Sequence, residues 1–364
     1  MVNLFPGRSG ILMSVLALSL VLPVTGAAHA AGKPNERPTE KPVTNKPVAN
    51  KTVQQGWQKN MEEARKALKA GNLALAEKRL RMALVETSSF KTTDSRIGLT
   101  LWELAQVHKS RGEVIEAELH ARNALKNLEP YKDKLPHEFA GTLNTLAWVL
   151  KDRGEYKEAE ETYESVIALL TRLDDDDQAL ATTLDNLGDL YLLQNRYAKA
   201  VEVQKKVLSI YEGSKDTNPK DLAIALNNLA ESYTHNKEYD KAKKSFERAI
   251  SIAEKEYGPL NPIIATFKDN LSAVYKDEGK LDEAERLELE AVNIYRKSLG
   301  AMHPDLAIAL HNLADLYMMK NDRARAREYY KEALAIISKT YGARHPMTRE
   351  FVASLAEVDE PAHQ

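Results

Sequence analysis

A 42-residue period constrains this chain more than any other feature. Asn186, Asn228, Asn270 and Asn312 stand 42 residues apart, and so do Gly258, Gly300 and Gly342. Residues 221–229 (DLAIALNNL) nearly recur as residues 305–313 (DLAIALHNL), two periods on. A period of this size signals stacked supersecondary units, each too small to bury its own apolar face alone. Within a unit the pattern is two amphipathic helices joined by a short polar turn. Tyr191, Tyr233, Tyr275 and Tyr317 follow Leu187, Leu229, Leu271 and Leu313 by four residues, which sets each pair on one helix face. The turn carries Gly71, Gly112, Gly154, Asn195, Gly279 and Asn321, residue types that accept the positive φ of a helix end.

Small residues recur where helices must approach closely. In the first helix of each pair they are Ala64, Ala105, Ala147, Gly188, Ala230, Ser272 and Ala314. The second helix repeats Ala76, Ala117, Ala159, Ala200, Ala242, Ala284 and Ala326, then Ala83, Ala124, Val166, Val207, Ala249, Ala291 and Ala333. A leucine at such a crossing would overpack it, at a cost of about 1–3 kcal/mol. This combination resembles the tetratricopeptide repeat (TPR). The long period, the string HPDLAIALHNLADLY and the closing KTYG resemble the subclass found in kinesin light chains. The resemblance implies an all-α, right-handed superhelical solenoid of about seven helix pairs over residues 57–342, with a concave groove. The pairs are expected near residues 57–90, 97–130, 138–172, 179–213, 221–257, 263–299 and 305–341. Residues 343–364 should supply a capping helix, with Phe351, Leu355 and Val358 at helical spacing, and a tail.

The N-terminal region has a different character. Residues 11–24 (ILMSVLALSLVLPV) follow one basic residue, Arg8, and are short for a membrane span, which needs roughly 20 residues. Ala28 and Ala30 then form a signal-peptidase A-x-A site, so residues 1–30 read as a cleaved export signal. An uncleaved anchor is the alternative, and either way the folded part leaves the cytoplasm. Residues 31–56 carry Pro34, Pro38, Pro42 and Pro47 among polar residues and read as an extended spacer. No second apolar run follows, so no transmembrane segment is expected in the mature chain. A bacterial periplasm or cell envelope is the expected location. The absence of cysteine excludes disulfides, thiolate metal sites and cysteine nucleophiles. A net charge of −2 gives no global pull toward nucleic acid, which is not an expected partner.

No catalytic signature appears: no phosphate-binding Gly-rich loop, no GxSxG and no HExxH, and His137-Glu138 lacks a second histidine at the required spacing. No catalytic residue, cofactor or metal is assigned, and the chain does not read as an enzyme. His303 and His345 precede Pro304 and Pro346 and read as helix starts. The run Asp174–Asp177 reads as a solvated linker that brings acid to a helix N-terminus.

What remains is the groove. The resemblance implies that first helices line it through two positions flanking the small residue. Those positions are Met61 and Arg65, Trp102 and Gln106, Asn144 and Trp148, Asp185 and Asp189, Asn227 and Glu231, Asp269 and Ala273, and His311 and Asp315. Trp102 and Trp148 are either binding anchors or packing between units. Asp185, Asp189, Glu231, Asp269 and Asp315 favour a ligand bearing Lys or Arg, or form a solvated face. Asn144 and Asn227 fit peptide-backbone recognition by position. Asn186, Asn228, Asn270 and Asn312 lie one residue further round and read as ties between neighbouring helices. The expectation is an exported scaffold or adaptor that binds a protein or peptide partner. The alternatives are a self-associating structural protein of the envelope and a glycan-binding module, and the sequence leaves the oligomeric state open.

Overall fold

The computed structural model describes residues 51–174, 176–215 and 217–358. The expected export signal and residues 31–50 of the spacer lie outside the described residues. The described residues form α-helices and one 3₁₀ turn, Glu129–Tyr131, with no strand among them. The first helices of the seven pairs are α1 (Lys51–Lys69), α3 (Ser95–Ser110), α5 (Pro136–Asp152), α7 (Asp177–Leu193), α9 (Pro219–His235), α11 (Pro262–Asp277) and α13 (Pro304–Met319). Their partners are α2 (Leu73–Thr87), α4 (Val114–Leu128), α6 (Tyr156–Leu173), α8 (Tyr197–Gly213), α10 (Tyr239–Tyr257), α12 (Leu281–Leu299) and α14 (Arg323–Tyr341). A final helix, α15 (Pro346–Glu357), follows. Helix α1 begins at Lys51, inside the stretch read as spacer. That stretch loses its prolines after Pro47, so nothing in KTVQQG breaks a helix that Trp57 and Met61 anchor.

Two compact units divide the described chain, one up to Thr183 and one from Leu184. In the first, Met61, Ala64, Ala76, Leu80, Ala83, Leu104 and Val107 form one apolar cluster, and Ala140, Val166 and Leu170 another. In the second, a continuous core runs from Ala223 through Phe267, Leu310 and Tyr330 to Phe351 and Val358. Helix α15 thus covers the last pair with Phe351, which is 1% exposed. The small residues of both helices are buried in every pair, as close helix crossings require.

Local chemistry sets the helix ends. All seven inter-helix turns carry one residue at positive φ: Gly71, Gly112, Gly154, Asn195, Lys237, Gly279 and Asn321. Lys237, at φ 60°, fills the slot that elsewhere holds Gly or Asn. Helices α9, α11, α13 and α15 start alike. Asn218, Asn261, His303 and His345 each accept a backbone N–H two residues on, and proline occupies the first helical position. The two histidines therefore serve as helix caps. Asp176 does the same for α7, accepting from the Ala179 N–H at 2.9 Å.

Candidate functional site

Within each unit a ladder of side-chain hydrogen bonds ties successive first helices. In the first unit the Trp57 indole N–H donates to Thr100 Oγ1 at 2.9 Å, and that of Trp102 to Thr145 Oγ1 at 3.2 Å. In the second unit Asn228 donates to Asp185 at 2.9 Å, Asn270 to Asn227 at 2.9 Å, and Asn312 to both Asp269 oxygens at 3.1 Å. His311 Nε2 meets Ser354 Oγ of α15 at 3.0 Å. Each of these pairs spans 43 residues, one period plus one, so the rungs repeat with the fold.

The ladder corrects several sequence expectations. Trp102 is a packing residue, because its N–H is committed and its ring fills the space over Gly141. A Cβ there would come within 2.5 Å of the ring. Asn227 is buried and its amide is committed to Asn228 and Asn270, so it does not hold a peptide backbone. His311 is 4% exposed, enclosed by Phe351, Tyr330 and Ser354, and is not part of an open groove. Met61 is buried in the first pair's core. Asp185 and Asp269 are partly buried acceptors within the ladder. The asparagines Asn228, Asn270 and Asn312 tie neighbouring helices, as their register implied.

Second helices support the same floor from below. The Gln204 amide, fully buried on α8, donates to Asp185 Oδ1 at 2.8 Å. Gly188 leaves room for it, since a Cβ there would sit 2.6 Å from Gln204 Nε2. On α12, Glu288 is fully buried, accepts from Ser272 at 2.8 Å and pairs with Lys276 at 3.1 Å. Burial and the neighbouring Asp269 hold its carboxyl well above the usual range. On α14 the Tyr330 hydroxyl donates to Asp315.

The first-helix face stays open at Gln106, Asn144, Trp148, Asp189, Glu231, Ala273 and Asp315, all half-buried. Arg65 pairs with Glu103 at 2.6 Å. In the first unit the Lys109 ammonium lies 4.7 Å from the centre of the Trp148 ring. Burial, then the nearby Lys151, pushes Lys109 down to about 8. In the second unit Glu231 has no hydrogen bond or ion pair among the described residues. Burial, then Asp189 and Asp185, pushes it up to about 7.

The tetratricopeptide repeat model matches residues 138–213, 221–297, 264–339 and 305–358. The chain belongs to the tetratricopeptide repeat family. Its repeat period is 42 residues. Among solved structures it is similar to BtubC (BKLC) from P. vanneervenii, with 23% identity over 57% of this chain and 82% of that one, TM-score 0.48. Apo RapI matches at 20% identity over 84% of this chain and 99% of that one, TM-score 0.60. A Rap protein complexed with Competence and Sporulation Factor matches at 17% identity, 85% and 76% coverage, and TM-score 0.51. No curated protein sequence matches the chain. The TPR fold is a protein-interaction scaffold, and this chain carries it throughout the described residues.

Sequence reasoning missed Gln204, Glu288, Lys109 and Lys151. A signal for the first two was present. Sixteen residues after the small position most repeats have an apolar or aromatic residue, such as Leu80, Tyr163 or Phe246. The two repeats whose small residue is Gly188 or Ser272 instead of alanine are those that carry Gln204 and Glu288 there.

Proposed function

We propose that the protein is an exported TPR scaffold that holds a peptide segment of a partner protein against its first-helix face. One observation carries this reading: the face keeps desolvated charges that no opposite charge among the described residues neutralises. Lys109 has a Trp ring and another lysine beside it, and Glu231 has two aspartates. Such groups lower the stability of the free protein, and a partner of matching chemistry relieves them. Export rests on the apolar run and A-x-A site of residues 11–30 and implies a periplasm or cell envelope as the working compartment. No helix among the described residues is long and apolar enough to cross a membrane.

Affinity capture from envelope extract tests the reading. The bait is the wild-type protein beside a Trp148→Ala variant and a Glu231→Gln variant, each checked for helical content and melting. A partner retained by wild type and lost by a folded variant supports recognition on this face. A partner retained equally by all three refutes it. Self-association is a second reading, favoured by the exposed apolar side chains of α2 and α4, where Val85 is 72%, Ile115 77% and Leu119 58% exposed. A sedimentation coefficient that rises with concentration and is restored to the monomer value by Ile115→Ser supports it.

A further inference from the structure

We propose that the outer face of α2 and α4 is a docking surface for a lipid bilayer with anionic headgroups. This face is formed by second helices, so the proposal does not rest on the scaffold reading of the first-helix face. Leu75, Met82 and Val85 on α2 and Ile115 and Leu119 on α4 are all exposed there. Their spacing sets each group along one stripe of its helix. The two helices lie side by side, since Arg111, in the turn that leads into α4, reaches Glu77 of α2. The other pairs supply the comparison. Helices α6 and α8 expose no large apolar side chain, α12 exposes Leu289, and α10 and α14 expose only the tyrosine that ends each. Packing of the repeat therefore does not demand an apolar outer stripe, and its concentration on two adjacent helices marks a surface that something covers.

The charges decide what covers it. Exposed Lys78, Arg81, Arg122 and Lys126 are interleaved with the apolar side chains, and Glu116 is the one exposed acid of the two helices. Half-buried Glu77 is bonded to Arg81 and Arg111, and Glu118 to Arg122 and Arg153. Lys78 and Lys126 have no ion pair among the described residues. A second copy docked face to face would set these cations against their own counterparts, with one exposed acid on each side. A bilayer with anionic headgroups takes both features at once. The apolar side chains enter the edge of the hydrocarbon region while the lysines and arginines stay among the phosphates. A shallow depression of about 460 Å³ on α2 places Lys78 and Arg81 around the same space as Met82 and Val85. The preceding chain adds charge of the same sign. A Cβ on Gly56 would lie 2.9 Å from Glu86, so the first turns of α1 run beside the Val85 end of α2. Residues 31–50 lead into α1 and hold Lys33, Arg37, Lys41 and Lys46 against Glu36 and Glu40.

Vesicle flotation tests the proposal with the chain from residue 31 onward, which keeps every described helix. Vesicles of phosphatidylcholine alone are compared with vesicles of equal parts phosphatidylcholine and phosphatidylglycerol. At low salt the anionic vesicles should bind roughly tenfold tighter or more, and added salt should shrink the preference. Ile115→Ser/Leu119→Ser should weaken binding to the anionic vesicles roughly tenfold, and Lys78→Gln/Lys126→Gln about fivefold for each lysine removed. All four positions are exposed, so helical content and melting should match wild type. Equal binding to both vesicles, binding to neither, or either double variant binding as tightly as wild type overturns the proposal. A protein that ignores vesicles but self-associates, and becomes monomeric in Ile115→Ser/Leu119→Ser, also overturns it and assigns the face to a second copy. Partner capture by the first-helix face is read separately, so failure here leaves the scaffold reading standing.

Discussion

Replacing Glu231 with glutamine should make the free protein more stable, and only above a certain pH. The carboxyl is held at about 7 in the folded protein against an ordinary value of 4.5. At about 1.4 kcal/mol for each tenfold change in proton affinity, that difference puts the cost of its charge near 3 kcal/mol. Water reaching the groove lowers the figure, so about 1–2 kcal/mol is expected. Because the folded form binds the proton more tightly, the cost is absent below pH 4.5, grows through the interval and is complete above pH 7. The glutamine variant carries no charge at this position at any pH. Thermal melts of wild type and Glu231→Gln at pH 4.5, 6, 7 and 8 read the difference directly, and carboxylates common to both proteins cancel. For a unit of this size about 1–2 kcal/mol corresponds to a Tm increase of roughly 2–8 °C at pH 8, falling to nothing at pH 4.5. A difference that does not vary with pH, or a variant that melts lower at pH 8, would refute the reasoning. Either result would mean that a cation already compensates Glu231 in the free protein.

Other perturbations separate packing from recognition. Trp102→Ala should cost about 3 kcal/mol in urea unfolding of the first unit, because it empties the space over Gly141 and breaks a rung, whereas Trp148→Ala should cost about 1 kcal/mol and act mainly on partner capture. Gly188→Ala should cost about 1–3 kcal/mol and most of that should vanish in a Gln204→Ala background, since the clash is with the Gln204 amide; additive effects in the double-mutant cycle would contradict the contact. Gly279→Asn should be nearly neutral, as Asn195 and Asn321 occupy the same turn position, while Gly300→Asn should cost about 2–3 kcal/mol at φ 89° and ψ 166°, a region open essentially to glycine alone. Nothing lies within 4 Å of a Cβ at either site, so chemical denaturation would report backbone strain alone.

The helix pairs were legible because packing writes itself into sequence at fixed spacing. A small residue at a helix crossing recurs wherever the crossing recurs, and Ala64, Ala105 and Ala147 carry the same meaning however their neighbours differ. Recognition leaves a weaker trace, since a groove side chain is free to vary. Register alone was not enough at Trp102, Asn227 and His311. Each occupies a groove position by count, and each is used up by a bond to the next helix that depends on what stands one period plus one residue on. Thr145, Asn270 and Ser354 can bond; a leucine there would have left the groove residue open. Lys237 shows the same dependence in reverse, for a residue with no special tolerance of positive φ takes it because six equivalent turns fix the geometry.

The polar floor shows how polar groups can be built into a packing repeat. A second-helix side chain normally plugs the space beneath an alanine, as Phe246 does beside Ala230. To bring a polar group up to the surface, the plug must become polar and the alanine above it must shrink or become a partner. Gly188 with Gln204 does the first, and Ser272 with Glu288 the second. Both changes lower the apolar area buried in that pair, and Glu288 adds a fully buried acid whose carboxyl burial holds well above its usual range. A repeat selected for stability alone would keep alanine and phenylalanine in both places. Two of the second unit's repeats depart in this way, and in one of them the polar plug reaches the first-helix face, where Gln204 donates to Asp185.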